Sequence, residues 1–307
     1  MEQITRCRIC PRKCGADRTA GSGRCGAGML PEVSRVMIHH WEEPCISGDP
    51  SSERGSGAVF FTHCPLGCVF CQNGKISRAG SAGEEKTPEE LAGVFLELQE
   101  KGAYNINLVS PTQYAPWLTE AVSLARQSGL TVPIVWNTGG YETPETISSL
   151  EGTVDIFLTD FKYYSPQVSG KLASAPGYMQ AAREALREMY RITGHYVIED
   201  DSGTEIMKRG VIIRHLVLPS YRRDSEAVLD LIAATVPPES VILSLMAQYT
   251  PDFLPPPETE QSDRYRKIRR KITTFEYESV REKAAELGFC GYAQERSSAT
   301  RNFTPDF

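Results

Sequence analysis

The sequence predicts an α/β fold, namely a partial (βα)6 barrel that follows a cysteine-rich leader. From about Gly57 onward, short apolar runs of strand type alternate with amphipathic runs of helical period, as is typical of parallel strands joined by crossover helices. The strand-type runs are almost continuously apolar, as expected for strands that are covered on both faces. Six such units are fewer than the eight that close a barrel of the usual kind, so we expect a barrel with an open side.

The predicted elements follow in regular order. The strand-type runs are 58–62, 105–110, 132–136, 154–159, 211–218 and 241–245. One helix begins after Thr87, because an N-cap threonine, a proline at the first helical position and the capping-box residue Glu90 stand together there. Thr143 and Pro144 begin a second helix in the same way. The remaining helices are predicted at 116–127, 178–193 and 225–235.

The chain is expected to divide into a leader (1–54), the barrel (55–250) and a C-terminal part (251–307). The C-terminal part opens with a proline-rich linker, and a helix near 275–287 and a short strand near Tyr292 are predicted to close the sheet. The dense basic run 264–271 is more typical of a solvated helix face than of a site for an acidic or phosphate-rich partner.

Composition limits the classes of function. A chain of 307 residues with 40% hydrophobic content can bury a substantial core. The net charge of -6 and the isoelectric point near 5.6 argue against a nucleic-acid binder that relies on a broad basic surface. No run has the character of a signal peptide or a membrane span, so we expect a cytoplasmic protein. In that reducing compartment the nine cysteines are more typical of metal ligands than of disulfides, since seven of them fall into two groups.

The first cysteine group lies on one short loop directly after the first predicted strand. Cys64, Cys68 and Cys71 have the spacing C-x3-C-x2-C. A 4Fe-4S cluster normally takes four thiolates, so a loop that offers three leaves one iron free to bind a cofactor or substrate. The spacing alone leaves a zinc site and buried thiols open as alternatives.

The second group lies in the leader and has the ligand count of a closed four-thiolate site. Its members are Cys7, Cys10, Cys14 and Cys25. Zinc would hold together a leader that is too small for a core of its own, whereas a second 4Fe-4S cluster could relay electrons to the first. We favour the structural role, with zinc ahead of iron. Cys45 and Cys290 stand outside both groups and are more typical of small buried residues.

The spacing of the first group resembles the signature of radical S-adenosylmethionine (radical SAM) enzymes. Two further motifs resemble pyruvate formate-lyase activating enzyme and its relatives. The run Asn137-Thr138-Gly139 is similar to their threonine-asparagine-glycine turn, and Asp160-Phe161-Lys162 is similar to their D-x-K motif. The resemblance covers roughly residues 55 to 294. Where the activating enzymes have glycine-glycine-glutamate, this chain has Val109-Ser110-Pro111-Thr112-Gln113, which offers hydroxyls but no carboxylate and indicates a divergent relative.

The resemblance implies that S-adenosylmethionine chelates the open iron and is cleaved to methionine and a 5′-deoxyadenosyl radical. It implies that Asp160 and Lys162 lie against the methionine end, although an exposed ion pair is the plainer interpretation of these two residues. It also implies that Asn137, Thr138 and Asp160 frame a monovalent cation. Further cofactor contacts are implied for Phe70, which could equally be a core residue, and for Ser110, Thr112, Arg214 and Gln248.

The function implied by this resemblance is hydrogen abstraction from a glycine of a partner protein, as in glycyl-radical activation. A reductant such as flavodoxin or ferredoxin would supply the electron. One alternative is hydrogen abstraction from a small molecule or a peptide. Another is an iron-sulfur protein that binds S-adenosylmethionine without turnover and serves in electron transfer or sensing.

Overall fold

The structure of the protein is a computed structural model that describes residues 4–78, 80–257 and 263–295. The strands within these residues are β1 (Glu32–His39), β2 (Ser56–Phe61), β3 (Glu84–Glu85), β4 (Ile106–Val109), β5 (Ile134–Thr138), β6 (Ile156–Asp160), β7 (Val197–Asp201), β8 (Thr204–Leu216), β9 (Ile242–Met246) and β10 (Cys290–Ala293). The α-helices are α1 (Pro44–Ser47), α2 (Gly74–Ser77), α3 (Pro88–Glu100), α4 (Ala115–Gln127), α5 (Pro144–Ser148), α6 (Pro166–Ala173), α7 (Tyr178–Thr193), α8 (Arg222–Ala233) and α9 (Thr274–Glu286).

The strands form one mostly parallel sheet in the order β10-β9-β8-β6-β5-β4-β2-β1-β3, with β7 paired to β8. Every neighbouring pair from β10 to β2 is parallel, whereas β1 is antiparallel to β2 and to β3. This arrangement is the predicted α/β fold and is consistent with a partial barrel. Parallel order brings the carboxyl ends of the six strands from β2 to β9 to one edge of the sheet.

Several element boundaries agree with the sequence prediction. Helix α3 begins at Thr87 with the capping box, in which Glu90 N–H donates to the Thr87 hydroxyl and Thr87 N–H donates to the Glu90 carboxylate. Helix α7 covers the predicted range. Helix α9 and β10 confirm the predicted closing elements, because β10 pairs in parallel with β9.

Other elements were not predicted. Strand β1 lies within the predicted leader but joins the main sheet, so residues of that segment contribute to the barrel; the boundary at residue 54 stays a prediction. Strand β8 is longer than predicted because its first half forms a hairpin with β7. The basic run contains only the 3-10 turn Arg266–Ile268, so the predicted helix face was wrong there. Arg269 and Arg270 instead form ion pairs with Asp263 and Glu276.

The core lies between the sheet and its helices, and a second, smaller apolar cluster lies on the opposite face of the sheet. Helix α1 is inserted into that second cluster, with Cys45 and Ile46 packed beside Val135 and Ile212. Burial of a side chain such as Ile46 contributes about 1.5–3 kcal/mol. The segment that follows β1 therefore plugs one end of the barrel. None of the helices in the described ranges combines the length and apolarity that a bilayer span requires.

Candidate active site

A cavity of about 1140 Å³ runs through the barrel from the cysteine loop to the plug segment. Nearly all of the barrel residues that were predicted to bind the cluster or the cofactor line this cavity. The lining includes Cys64, Phe70, Cys68, Cys71, Ser110, Asn137, Thr138, Asp160, Lys162, Arg214 and Gln248. Thr112 lies behind this wall, where its hydroxyl donates to Glu142 Oε1 at 2.6 Å.

The cysteine loop begins at His63, which has a left-handed backbone with φ of 68°. A non-glycine residue in that region costs about 1–3 kcal/mol and persists only where its surroundings hold it. His63 N–H donates to the Ile76 carbonyl at 2.7 Å, and its Nε2 lies 3.1 Å from Glu32 Oε1. Strand β1, which provides Glu32, therefore fixes the start of the loop.

The middle of the loop is held by the end of α6. The N–H of Gly67 donates to the Ala173 carbonyl at 3.1 Å, and the N–H of Val69 donates to the Leu172 carbonyl at 2.9 Å. These bonds between backbone groups orient the loop.

The chemistry of the three thiols fits an iron-sulfur cluster. Burial raises the pKa of Cys64, and burial raises the pKa of Cys68 to about 11 in spite of the nearby Lys162 ammonium. Such thiols stay protonated at neutral pH, and the positive charge of iron would favour their thiolate form. The Ser77 hydroxyl donates to Cys71 Sγ at 3.4 Å. Three soft ligands on one cavity wall match a cluster with one open iron.

Asp160 and Lys162 form an ion pair in which each side chain is 20% exposed. Burial opposes the charge of Lys162, but the Asp160 carboxylate and the neighbouring thiols outweigh it and raise the lysine pKa. Tyr178, which sequence reasoning missed, joins the two strand ends. Its hydroxyl accepts from Lys162 N–H at 2.9 Å and lies 2.9 Å from the Gly139 carbonyl oxygen.

The adjoining turn requires glycine at position 140. Gly140 has a φ of 73°, and a Cβ there would lie 2.0 Å from the carbonyl oxygen of Asp160. The glycine pair that follows Asn137 and Thr138 therefore permits β5 and β6 to approach at the cavity edge.

Arg214 forms ion pairs with two carboxylates, those of Glu42 and Glu43. Its Nε donates to Glu43 Oε1 at 2.7 Å, its Nη2 donates to Glu43 Oε2 at 2.6 Å, and Nη2 also donates to Glu42. Burial raises the pKa of Glu43, but the Arg214 guanidinium outweighs it, so that pKa lies below its usual range. The predicted contact of Arg214 with the cofactor stays a prediction.

Glu142 is a further buried carboxylate that sequence reasoning missed. Burial raises its pKa to about 7, against the hydrogen bonds from Thr112 and Thr138. Asn137 Nδ2 donates to Glu42 at 3.4 Å, and Asp160 is paired with Lys162. The three expected ligands of a monovalent cation thus have protein partners, and that cation stays a prediction.

The remaining predicted cofactor contacts lie around an aromatic pair. Phe70 packs edge-to-face on Tyr249 with 5.6 Å between ring centroids, and both rings are buried at the cavity wall. Gln248 accepts a hydrogen bond from Gln294 Nε2 at 3.3 Å. Ser110 has a φ of 58° and occupies a strained turn at the end of β4.

The leader thiols influence one another electrostatically. Burial raises the pKa of Cys10 to about 11, and the nearby thiols of Cys25, Cys7 and Cys14 act in the same direction. Within the described ranges, no group of three or more His, Cys, Asp and Glu side chains could hold one metal ion, and this includes the loop thiols, each of which would bind a different iron of a cluster. The metal of the leader stays a prediction.

The leader is bound to the barrel through buried arginine contacts. Arg18 is 3% exposed and donates from Nη1 to the Gln113 carbonyl at 2.7 Å. The Gln113 side chain in turn donates to the carbonyls of Thr62, His63 and Ser110 at 2.9, 3.2 and 2.8 Å. Hydrogen bonds through Arg18 and Gln113 therefore connect the leader to the start of the cysteine loop.

Comparison with known proteins agrees with this geometry. The model of the radical SAM superfamily matches residues 58–232, more than half of the chain. The uncharacterized protein MJ0674 of Methanocaldococcus jannaschii is 28% identical over 295 residues, which cover 92% of this chain and 73% of that protein. A crystal structure of an amidohydrolase has a TM-score of 0.26 and 13% identity over 73% of this chain and 42% of its own, a likeness too low to bear on the fold. The chain belongs to the radical SAM superfamily, whose members are enzymes that use a 4Fe-4S cluster and S-adenosylmethionine.

Proposed function

We propose that this enzyme abstracts a hydrogen atom from a substrate bound beside S-adenosylmethionine in the barrel cavity. The observation that carries the proposal is that the cysteine loop and the polar residues Glu42, Glu43 and Arg214 line one continuous cavity of about 1140 Å³. A single small molecule usually occupies about 300–1,000 Å³. The cavity exceeds this range, which supports a site shared by the cofactor and a second reacting group.

Cys64, Cys68 and Cys71 would hold the cluster. With S-adenosylmethionine it would supply one-electron reductive cleavage to methionine and a radical that takes a hydrogen atom from the substrate, giving 5′-deoxyadenosine and a substrate radical. The electron comes from a reductant such as flavodoxin or ferredoxin. We propose a cytoplasmic location, where such reductants operate.

The side chains around the loop have matching roles in this proposal. The Lys162 ammonium suits the methionine carboxylate, and Asp160 suits the methionine ammonium. The face of Phe70, supported by Tyr249, suits the adenine ring. Gln248 at the same wall offers a polar contact for the adenosine.

The first candidate substrate is a glycine of a partner protein, whose α-hydrogen would be removed. One support is the resemblance of the Asp160-Phe161-Lys162 motif to that of the glycyl-radical activating enzymes. The other is that the sheet is open, with β10 and β3 as its two edge strands. A second candidate is a small molecule or a peptide. The ion-paired residues Glu42, Glu43 and Arg214 favour this second candidate, because polar groups in a cavity wall can bind a polar ligand in a fixed orientation.

The test is anaerobic reconstitution with iron and sulfide, followed by dithionite and S-adenosylmethionine. We expect 5′-deoxyadenosine and methionine in equal amounts from the wild type and neither from Cys68→Ala. Cys290→Ala is the matched control, because Cys290 is exposed and lies on β10. An intact, reducible cluster that forms no deoxyadenosine with any candidate substrate would contradict the proposal and favour an electron-transfer or sensing protein. Deuterium transfer from α-deuterated glycine in a partner protein would separate the two substrate classes.

A further inference from the structure

A second, smaller cavity lies where the leader meets the cysteine loop. Its volume is about 340 Å³, and it shares Cys64 and Cys68 with the main cavity. Its lining also includes three arginines that do not line the main cavity, namely Arg12, Arg24 and Arg78. The loop thiols therefore border two cavities, and we call the smaller one the arginine cavity.

The arginine cavity is positively charged. None of the described residues that line it is acidic. Arg12 is held by backbone carbonyls, among them that of Ser174 at 2.9 Å and that of Pro65 in the cysteine loop. Arg24 and Arg78 are exposed. In the part of the chain that the structure describes, none of these three arginines forms an ion pair with a carboxylate, so their charges are not compensated.

The sequence on both sides of this cavity has the same sign of charge. Residues 4–30 of the leader contain six basic side chains and one acidic side chain, although the whole chain has a net charge of -6. Residues 62–83, which include the cysteine loop, add two basic side chains and no acidic one. A zinc ion held by four leader thiolates would subtract two charges and leave the leader positive. Such a concentration of one sign of charge attracts partners of the opposite sign.

The proposed chemistry needs an electron from outside the protein, so its carrier has to approach the cysteine loop. In the proposed function the main cavity holds the cofactor and the substrate, and a protein cannot reach the loop thiols through it. The arginine cavity borders the same loop at Pro65 and Gly67, which do not line the main cavity. Because Arg24 and Arg78 are exposed, they can contact the surface of another protein.

We infer that the arginine cavity, with Arg24 and Arg78, is the docking surface for the electron donor, a one-electron carrier protein with an acidic patch. Carboxylates of the carrier would accept hydrogen bonds from the guanidiniums. The carrier is oxidised by one electron, and the centre held by the loop thiols is reduced by one. The inference rests on the proposed function and specifies its partner and the side from which the electron enters.

The test uses the reconstituted holoprotein saturated with S-adenosylmethionine, under anaerobic conditions. The probe is a flavodoxin with an acidic surface. Calorimetry with oxidised flavodoxin gives the Kd, and stopped-flow mixing with the hydroquinone form gives the rate of cluster reduction. We expect the double variant Arg24→Gln, Arg78→Gln to bind flavodoxin about tenfold more weakly and to be reduced about tenfold more slowly at an ionic strength of about 0.01 M. At about 1 M salt the difference from the wild type should shrink to less than about twofold, because the charges are screened.

Two controls separate docking from other effects. The double variant Arg187→Gln, Arg223→Gln removes the same charge from exposed positions that line neither cavity, and it should behave as the wild type. Reduced methyl viologen is a small cation, so it should reduce the Arg24→Gln, Arg78→Gln variant at least as fast as the wild type. That result would show that the substitutions leave the cluster itself intact.

Three results would overturn the inference. The first is a wild type that does not bind flavodoxin, or a variant without Arg24 and Arg78 that binds it equally well at low ionic strength. The second is an equal loss in the Arg187→Gln, Arg223→Gln control, which would assign the effect to net charge. The third is one-to-one binding of inorganic phosphate that competes with flavodoxin and is lost without Arg24 and Arg78, which would assign the cavity to a small anion. Formation of deoxyadenosine with dithionite tests the proposed function independently of the carrier, so the two failures are distinguishable.

Discussion

Replacement of Arg214 by methionine should destabilise the protein strongly. The substitution keeps an unbranched stem but leaves Glu42 and Glu43 buried without their guanidinium, which donates three hydrogen bonds to the two carboxylates. Removal of one partner from a buried ion pair typically costs about 3–5 kcal/mol. We expect a loss of about 4 kcal/mol in the free energy of unfolding near neutral pH.

The loss should depend on pH in a defined direction. In the wild type the pKa of Glu43 is lowered below its ordinary value, so its ion pair stabilises the fold above that value, and this contribution is lost as the pH falls through the lowered pKa. Without Arg214, the largest remaining influence on Glu43 is burial, which raises its pKa against the hydrogen bond from Ser244. The variant therefore loses stability as the pH rises through the raised pKa, and the gap to the wild type should widen between mildly acidic and mildly alkaline buffer.

Urea unfolding under anaerobic conditions, followed by circular dichroism, measures this gap at both pH values. The matched control is Arg209→Met, on an exposed position of the same strand, which should change the free energy by less than about 0.5 kcal/mol. In a Glu42→Gln, Glu43→Gln background the Arg214→Met substitution should cost only about 1 kcal/mol. An equal cost in both backgrounds, or a cost below about 1 kcal/mol in the wild type, would show that the ion pairs do not stabilise the fold as reasoned.

Three other predictions concern the strand ends and the metals. In the wild type, the free energy of unfolding should fall by about 3 kcal/mol as the pH rises from the ordinary glutamate pKa to about 7, because the pKa of Glu142 is raised. Glu142→Gln should remove this dependence, and urea midpoints across that range would detect the change. Gly140→Ala should lower the free energy of unfolding by well above the roughly 1 kcal/mol expected for the control Gly152→Ala. Both glycines have a positive φ, but only at Gly140 would the added Cβ meet a carbonyl oxygen. Equal melting temperatures of the two variants would contradict this reasoning. Cys68→Ala should lose one cluster's worth of iron by elemental analysis, whereas Cys7→Ala should alter a separate metal, and loss of the same metal in both would refute two separate sites.

The cysteine loop and the Asp160-Phe161-Lys162 motif could be located from the sequence because both depend on local patterns. Each stands directly after an apolar run of strand type, and parallel strands bring their carboxyl ends to the same edge. The convergence of Cys68, Asp160 and Lys162 on one cavity follows from those patterns without knowledge of any long-range contact.

The partners of Arg214 could not be found in this way. Glu43 precedes Arg214 by 171 positions and lies in a segment that cysteine content had marked as a leader. Only the return of the chain through β1 and α1 into the barrel brings the two together. Glu142 was not predicted for a related reason. A carboxylate after a turn is usually solvated, and the burial of this one depends on the threonine hydroxyls of two other segments.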